Sequence, residues 1–453
     1  MFNLKKFREK IMSPLKSSGA KFIKSPLGTR LASGFIWSML GALLSRSLGL
    51  LSGIFVARML GKTAMGELGM VQSTVGMFSM FAGLGLGLTA TKFVSNYKKT
   101  DPSRAGAIIG FSTIVAWVSG LIMTVVMMMI APWMARTSLA APQLAGLLQC
   151  GSLLLFFGAV NGAQTGALSG FEAFKTIAKI NWFAGLFTFL ITVVGVYFYG
   201  LKGAVCSNVL SVIFNCCLNF YSLRKIAQKE GIPISYGMSN QHIGMLFSFS
   251  LPGMLSWFIS GPVGWATSAM LVNCPEGYAQ MGIYNATNSW FQSVTFLPGL
   301  LSQVLLPILS GFVGANDKQQ GRQALKISTM VNLLIVIPIV VIGSMLSPWI
   351  MKLYGPKFID GWPTLVLTFL AAGVLMIQAP ITQQFIAHGR MWAYFGTHVL
   401  WGATFLLATY LMLPFGAVGL ASGRLIAYVV NGLGFVVLAT LYARYDKRTE
   451  NIT

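Results

Sequence analysis

Long apolar runs separated by short polar segments dominate this sequence. The runs at residues 104–132, 182–200 and 327–350 each hold enough apolar residues to cross a hydrocarbon core about 30 Å thick. Backbone hydrogen bonds must be satisfied inside such a core, so membrane spans are helices or closed barrels. A barrel needs short alternating strands, whereas these runs are continuous. The pattern therefore predicts an all-α polytopic membrane protein.

Turn-forming and charged residues divide the chain into about twelve predicted transmembrane helices, six on either side of a polar stretch. Their approximate cores are residues 33–57, 68–91, 105–131, 144–168, 176–198, 203–222, 244–271, 281–312, 327–350, 363–387, 391–412 and 417–441.

This division predicts two six-helix bundles joined by a cytoplasmic linker. The predicted regions are a basic N-terminal segment (1–30), the first bundle (31–223), the linker (224–242), the second bundle (243–443) and a tail (444–453).

Short similarities between the halves indicate an internal duplication. Met65–Met70 resembles Tyr278–Ile283, and Gly200–Ala204 resembles Gly416–Leu420. Because six spans per half is an even number, the two repeats should be parallel and related by an axis along the membrane normal. Secondary transporters use such repeats and bind substrate at their interface.

Composition supports a membrane protein and excludes a soluble one. Hydrophobic residues make up 55% of the chain and charged residues 9%, whereas soluble domains carry about 25% charged residues. The net charge of +22 lies mostly in loops and tails, so nucleic-acid binding is not expected. With twelve spans, 24 lysines and arginines fall on the side of the two termini, six on the other and two within spans. The excess predicts that both termini are cytoplasmic.

The first predicted helices carry residues that resemble a known family. The segments Ser45–Gly49, Phe55–Gly61 and Gly66–Gly69 are similar to the opening of Wzx-type polysaccharide flippases, members of the multidrug/oligosaccharidyl-lipid/polysaccharide (MOP) exporter superfamily. The resemblance implies a MATE-like fold, in which two six-helix bundles surround a cavity that opens alternately to each side. It also implies transport of a polyprenyl-diphosphate-linked oligosaccharide across the bacterial cytoplasmic membrane for O-antigen, capsule or exopolysaccharide synthesis.

One departure limits what this resemblance implies. Arg46 matches a first-helix arginine of lipid II flippases, but Ser52 stands where those proteins carry a second arginine. This difference argues against a peptidoglycan-precursor flippase. Membrane lipids and polysaccharide polymerase machinery are the further candidate partners.

Cations within spans are the first candidate site residues. A charge at the centre of a transmembrane helix costs roughly 2.5–3.5 kcal/mol on insertion scales, so Arg46 and Arg424 require an explanation. We expect both to contact the substrate diphosphate, because a guanidinium binds phosphate through paired hydrogen bonds. Bonding to helix carbonyls is the alternative. Arg58 and Lys92 are further candidates for binding the diphosphate. Because they lie at the ends of their spans, the alternative is that they set the orientation of the protein in the membrane.

Acidic residues argue against cation-coupled drug transport. All ten lie in predicted loops, tails or span edges, whereas a multidrug antiporter is expected to bury a carboxylate that carries the coupling ion. Cations without buried acids favour an anionic substrate.

Amide side chains on predicted helix faces are the candidate sugar contacts. Asn285, Asn288 and Gln292 share one face of the eighth span, at spacing i, i+3, i+7. Gln72 is the counterpart of Asn285 in the first half, and the other candidates lie on the fourth and tenth spans. Hydrogen bonding between helices is the alternative role. The predicted cavity wall consists of Gln72, Asn161, Gln164, Asn285, Asn288, Gln292 and Gln383.

No pattern in the sequence indicates an enzyme or a cofactor. The three histidines have no metal-ligand spacing, and the five cysteines read as small buried hydrophobes. The sequence predicts a transporter. The alternatives are a multidrug antiporter of the same superfamily and an integral-membrane glycan polymerase or ligase, which should carry a large extracytoplasmic loop that is not evident here.

Overall fold

The computed structural model describes residues 26–236, 258–314 and 318–450. Within these residues the chain forms eleven α-helices linked by short turns and 3₁₀ segments. The helices are α1 (Pro26–Gly83), α2 (Leu86–Tyr97), α3 (Pro102–Thr137), α4 (Ala145–Gly170), α5 (Phe174–Lys229), α6 (Ser260–Val272), α7 (Gly277–Gly314), α8 (Lys318–Leu353), α9 (Trp362–Ala387), α10 (Met391–Met412) and α11 (Gly416–Glu450).

Glycines divide the two longest helices. Helix α1 is interrupted at Gly61, with φ 76° and ψ 179°, and α5 at Gly200, with φ 54° and ψ −132°. Glycine adopts positive φ without a steric penalty, so each position allows the chain to change direction abruptly. The predicted boundaries between the first and second spans and between the fifth and sixth coincide with these two glycines.

The predicted second span at residues 68–91 contains a break in the helix. The chain leaves the helix at Leu84 and Gly85, which have φ values of 45° and 63°, and resumes as α2. The glycine-rich sequence around these positions tolerates the left-handed backbone that breaks the span.

Two predicted boundaries fall partly on residues that the structure does not describe. The predicted seventh span begins at residue 244, and the described helix α6 begins at Ser260. Residues 1–25 of the predicted basic segment also lie outside the described residues. At the end of the first half, α5 continues to Lys229, so the predicted linker starts within a helix.

The surface of the molecule is apolar, as expected in lipid. Seven described helical stretches are long and apolar enough to cross a membrane. Large side chains such as Met129, Leu334 and Met345 point outward, and they are 77%, 67% and 75% exposed. These features confirm an all-helical protein that crosses the membrane several times.

The helices pack in two groups. Helices α1–α5, the first helix group, pack mainly against one another, and α6–α11, the second helix group, do the same. Helix α1 makes the main contacts between the groups, with α6 and especially α7. The seam between α1 and α7 is therefore the place where side chains from both groups meet.

Replacing Gly203 by alanine should destabilise the first helix group. A Cβ at this position would lie 1.8 Å from the carbonyl oxygen of Gly195, so the backbone has to move. We expect a loss of about 1–3 kcal/mol, measured by denaturant unfolding in detergent. A Cβ on Gly158 would have no neighbour within 4 Å, so Gly158→Ala should be neutral or slightly stabilising. Equal effects of the two substitutions would contradict this packing.

Candidate functional site

Arg46 bridges the two helix groups at the seam. It lies half-buried on α1, and its Nη1 donates a hydrogen bond to the carbonyl oxygen of Gln292 on α7, at 3.0 Å. Its guanidinium carbon lies 4.6 Å from the centre of the Phe296 ring. The charge is thus stabilised by a carbonyl dipole and an aromatic face.

Arg424 reaches the same helix from α11. Its Nη1 donates to Oδ1 of Asn288 at 3.0 Å, and its guanidinium carbon lies 4.2 Å from the ring centre of Phe291 and 5.4 Å from that of Tyr284. The Nε atom is buried and has no hydrogen-bond partner among the described residues. A guanidinium has five N–H donors, so this side chain can still bind an acceptor.

The two arginines converge on one turn of α7. Asn288 and Gln292 are four residues apart, so they lie on the same face about 6 Å apart along the helix. We call residues 288–292 the arginine turn. Within residues 26–236, 258–314 and 318–450, the ion pairs of Lys62 with Asp360 and of Lys98 with Glu172 do not involve these arginines. Among the described residues, no carboxylate therefore pairs with the two cations of this site.

Arg58 and Lys92 lie elsewhere. Arg58 is twelve residues from Arg46 on α1, about 18 Å along the helix axis, and its Nε donates to the carbonyl oxygen of Leu353. Lys92 is exposed on α2, with its Nζ atom 5.3 Å from the centre of the Phe93 ring. Arg58 joins the helix groups at the end of the seam, which is a structural contact.

The three predicted amides of α7 have different partners. Asn285 donates to the carbonyl oxygen of Met65 on α1 at 3.3 Å, so it joins the helix groups. Asn288 holds Arg424, and Gln292 accepts from Arg46 through its backbone while its side chain is exposed. The Asn288 side chain and the Gln292 backbone thus contact the two arginines, whereas Asn285 contacts α1.

The amides of α4 take part in hydrogen bonds between helices. The Nδ2 atom of Asn219, on α5, donates to the side-chain oxygens of Asn161, Thr165 and Asn215. Gln164 is 3% exposed and faces the thiol of Cys216 at 3.6 Å. These contacts are the alternative role that the sequence left open. Asn219, the centre of the network, was not predicted, although its i, i+4 spacing from Asn215 was visible in the sequence.

The remaining two predicted amides make fewer contacts. Gln72 is exposed on α1, and Gln383 is half-buried on α9. Gln378, five residues before Gln383 on α9, donates to the carbonyl oxygen of Tyr428 at 2.7 Å. Gln72 and Gln383 thus remain candidates for contact with a polar ligand.

A close contact between backbones closes one end of the seam. A Cβ on Gly66 would lie 1.8 Å from the carbonyl oxygen of Tyr278, and one on Gly282 would lie 2.0 Å from that of Lys62. We call this contact the glycine crossing. The hydroxyl of Tyr278 also donates to the carbonyl oxygen of Leu139 at 2.8 Å. The arginine turn begins six residues beyond Gly282, about 9 Å further along α7.

Comparison with known proteins identifies similar sequences. Residues 55–363, more than half of the chain, match the family described as "Polysaccharide biosynthesis protein". The chain is 24% identical over 188 residues to the EPS I polysaccharide export inner membrane protein EpsE of Ralstonia nicotianae, and 22% identical over 188 residues to that of Ralstonia solanacearum. Each match covers 40% of this chain and 42% of the relative, so it spans about two fifths of the length of these curated relatives.

Solved structures show the same fold. An inward-facing multidrug resistance MATE transporter of the MOP superfamily superposes with a TM-score of 0.73 at 15% identity, over 90% of this chain and 99% of that one. Lipid II flippase MurJ, in an inward closed conformation, superposes with a TM-score of 0.72 at 16% identity, over 89% and 87% of the two chains.

Replacing Gly282 by valine should separate the helix groups at the glycine crossing, because even a methyl group would collide with the Lys62 backbone. The separation can be measured by cross-linking cysteines placed at Lys62 and Asp360, whose side chains approach to 3.9 Å, after the native cysteines are replaced. We expect efficient cross-linking in the parent and much less with Gly282→Val. Gly76→Val is the control, since Gly76 has no neighbour within 4 Å of a Cβ. Unchanged cross-linking in the Gly282 variant would contradict a tight crossing.

Proposed function

Because the chain belongs to the polysaccharide biosynthesis protein family, we propose that it moves a polyprenyl-diphosphate-linked oligosaccharide across the bacterial cytoplasmic membrane by alternating access. The observation that carries this proposal is the arginine turn, where an arginine from each helix group contacts α7 within four residues and neither has an acidic partner among the described residues. The substrate would present its diphosphate to this turn while its prenyl chain stays in lipid.

A diphosphate fits the donors that the two arginines leave available. Each guanidinium makes one hydrogen bond through Nη1, to a backbone carbonyl for Arg46 and to an amide oxygen for Arg424. Both partners are neutral, so the contacts of the described residues leave both positive charges in place. Phosphate oxygens form short, charge-assisted hydrogen bonds with guanidinium groups. The buried Nε of Arg424, without a partner in the described structure, would gain an acceptor.

We propose twelve spans in two parallel six-helix bundles, with both termini in the cytoplasm. The glycine breaks in α1 and α5, the packing of the helices in two groups and the one-sided distribution of lysines and arginines support this arrangement. In this topology the glycine crossing lies at the external end of the seam. The head group would therefore reach the arginine turn from the cytoplasm, and opening of the crossing would release it outside.

The amides and the partners complete the proposal. Gln72, Gln292 and Gln383 would contact sugar hydroxyls, since their side chains are exposed or half-buried. Association with a polysaccharide polymerase would follow from delivery of the oligosaccharide to the external face. A multidrug antiporter shares the fold, but two cations beside α7 that pair with no carboxylate among the described residues would repel a cationic drug.

Charge reversal at Arg46 should abolish export of the surface glycan without removing the protein from the membrane. Arg46→Glu would place a carboxylate where the diphosphate binds, whereas Arg46→Lys keeps the charge and loses the paired donors, so it should retain part of the activity. The measurement is surface glycan display in a strain that depends on the variant, with membrane content checked by immunoblot.

Arg136→Glu is the matched control, because Arg136 is an exposed cation in the last turn of α3, a helix that contributes no residue to the arginine turn. It should leave export unchanged. Normal glycan display with Arg46→Glu would refute the site.

Asn288 should act by positioning Arg424. Asn288→Leu and Arg424→Gln should each weaken binding of a polyprenyl diphosphate to the purified protein, and the double variant should be little worse than either. We expect an interaction energy of about 1.5–3 kcal/mol, typical of a hydrogen bond to a charged group. Additive effects would instead show that Asn288 contacts the ligand independently.

A further inference from the structure

Two turns from different helix groups meet beside the glycine crossing. The first, residues 138–144, joins α3 to α4 in the first helix group, and the second, residues 273–276, joins α6 to α7 in the second. Asn273 donates through Nδ2 to the carbonyl oxygen of Ser138 at 2.8 Å. The hydroxyl of Tyr278, at the start of α7, donates to the carbonyl oxygen of Leu139 at 2.8 Å. We call these two hydrogen bonds the turn latch.

The latch does not involve α1, which makes the main contacts between the helix groups. The carbonyl oxygen of Tyr278 lies against Gly66 of α1, whereas its hydroxyl reaches the α3–α4 turn. That turn is anchored in the first helix group, because Leu139 is fully buried and Gln143 donates to the carboxylate of Glu67 on α1 at 3.2 Å. The turn thus presents fixed acceptors to the second helix group.

Each turn also contains a residue other than glycine with positive φ. Ala140 has φ 47°, and Glu276 has φ 54°. A side chain makes this backbone conformation unfavourable, and it persists where surrounding contacts hold it. Ala140 directly follows the two acceptor residues of the latch, and Glu276 lies between the two donor residues. Strained backbone is therefore located where the two turns are held together.

We propose that the turn latch holds the external end of the seam closed and that it has to break before the head group can leave. The direction of release rests on the proposed function and topology. Both donors are uncharged and both acceptors are backbone carbonyls. Each hydrogen bond therefore contributes a modest net stabilisation, because the separated groups bond to water when the end opens. Asn273 and Tyr278 are thus positioning residues for closure.

Side-specific labelling of a single cysteine tests the latch without a transport assay. In a chain whose native cysteines are replaced, Gln292→Cys places a thiol at an exposed position of the arginine turn. A membrane-impermeant maleimide is then applied to right-side-out or inverted membrane vesicles. Tyr278→Phe should raise labelling from the outside about fivefold, the factor that corresponds to one neutral hydrogen bond. Asn273→Ala in addition should raise it further.

Tyr354→Phe is the matched control, since its hydroxyl contacts Trp290 and Ala286 within the second helix group. It should leave the labelling unchanged, whatever its effect on the melting temperature of the purified protein. Unchanged labelling in Tyr278→Phe, or an equal rise in both tyrosine variants, would overturn the latch. A rise confined to inverted vesicles would overturn its place at the external end.

A reversible cross-link tests whether the latch breaks during transport. Ser138→Cys combined with Asn273→Cys, again without the native cysteines, places two thiols where the turns meet. Oxidation with copper phenanthroline should stop surface glycan export until a reductant restores it, and each single cysteine variant should be insensitive. Continued export by the fully cross-linked protein would overturn the proposal. If the chain carries no glycan, export is absent with and without the cross-link, and the shift in labelling still supports the latch.

Discussion

Hydrocarbon offers the peptide backbone no hydrogen-bond partner, and this constraint shapes the whole chain. Described segments long enough to span the membrane are helical, and glycines with positive φ interrupt the two longest of them. Hydroxyl side chains inside the helices follow the same rule. Thr124, for example, donates to the carbonyl oxygens of Gly120 and Ser152. Such hydroxyls donate to carbonyl oxygens of their own helix or of a neighbouring one.

The same environment explains why the helices meet at glycines. Lipid tails are as apolar as leucine side chains, so helix association depends on close packing and on hydrogen bonds between helices. At Gly66 and Gly282 the backbones of the two helix groups touch, and at Gly87 and Gly166 the same occurs within the first group. The glycines let the helices approach closely, and buried apolar side chains such as Met65 and Met281 pack beside the crossing.

Charge in hydrocarbon is costly, so the way in which this protein stabilises its arginines is informative. Arg46 and Arg424 are held by a carbonyl, an amide and aromatic rings, all of which leave the positive charge in place. A carboxylate would have neutralised the site and made an anionic ligand unnecessary. Helix α7 also links the arginine turn to the glycine crossing, because both lie on it about 9 Å apart. Movement of α7 against α1 would change the two together.

The helical class and the membrane location follow from the sequence, because apolar runs of this length have one stable form in lipid. The unusual status of Arg46 and Arg424 was visible too, since an arginine within an apolar run requires no structure to be recognised. The convergence of Arg46 and Arg424 on α7 could not be predicted from the sequence. It depends on α1 and α11 meeting α7, and such contacts join residues far apart in the chain. The roles of Asn161, Asn285 and Asn288 were decided in the same way. Spacing along a helix predicts which amides share a face, but only packing determines whether that face meets a carbonyl, an arginine or open space.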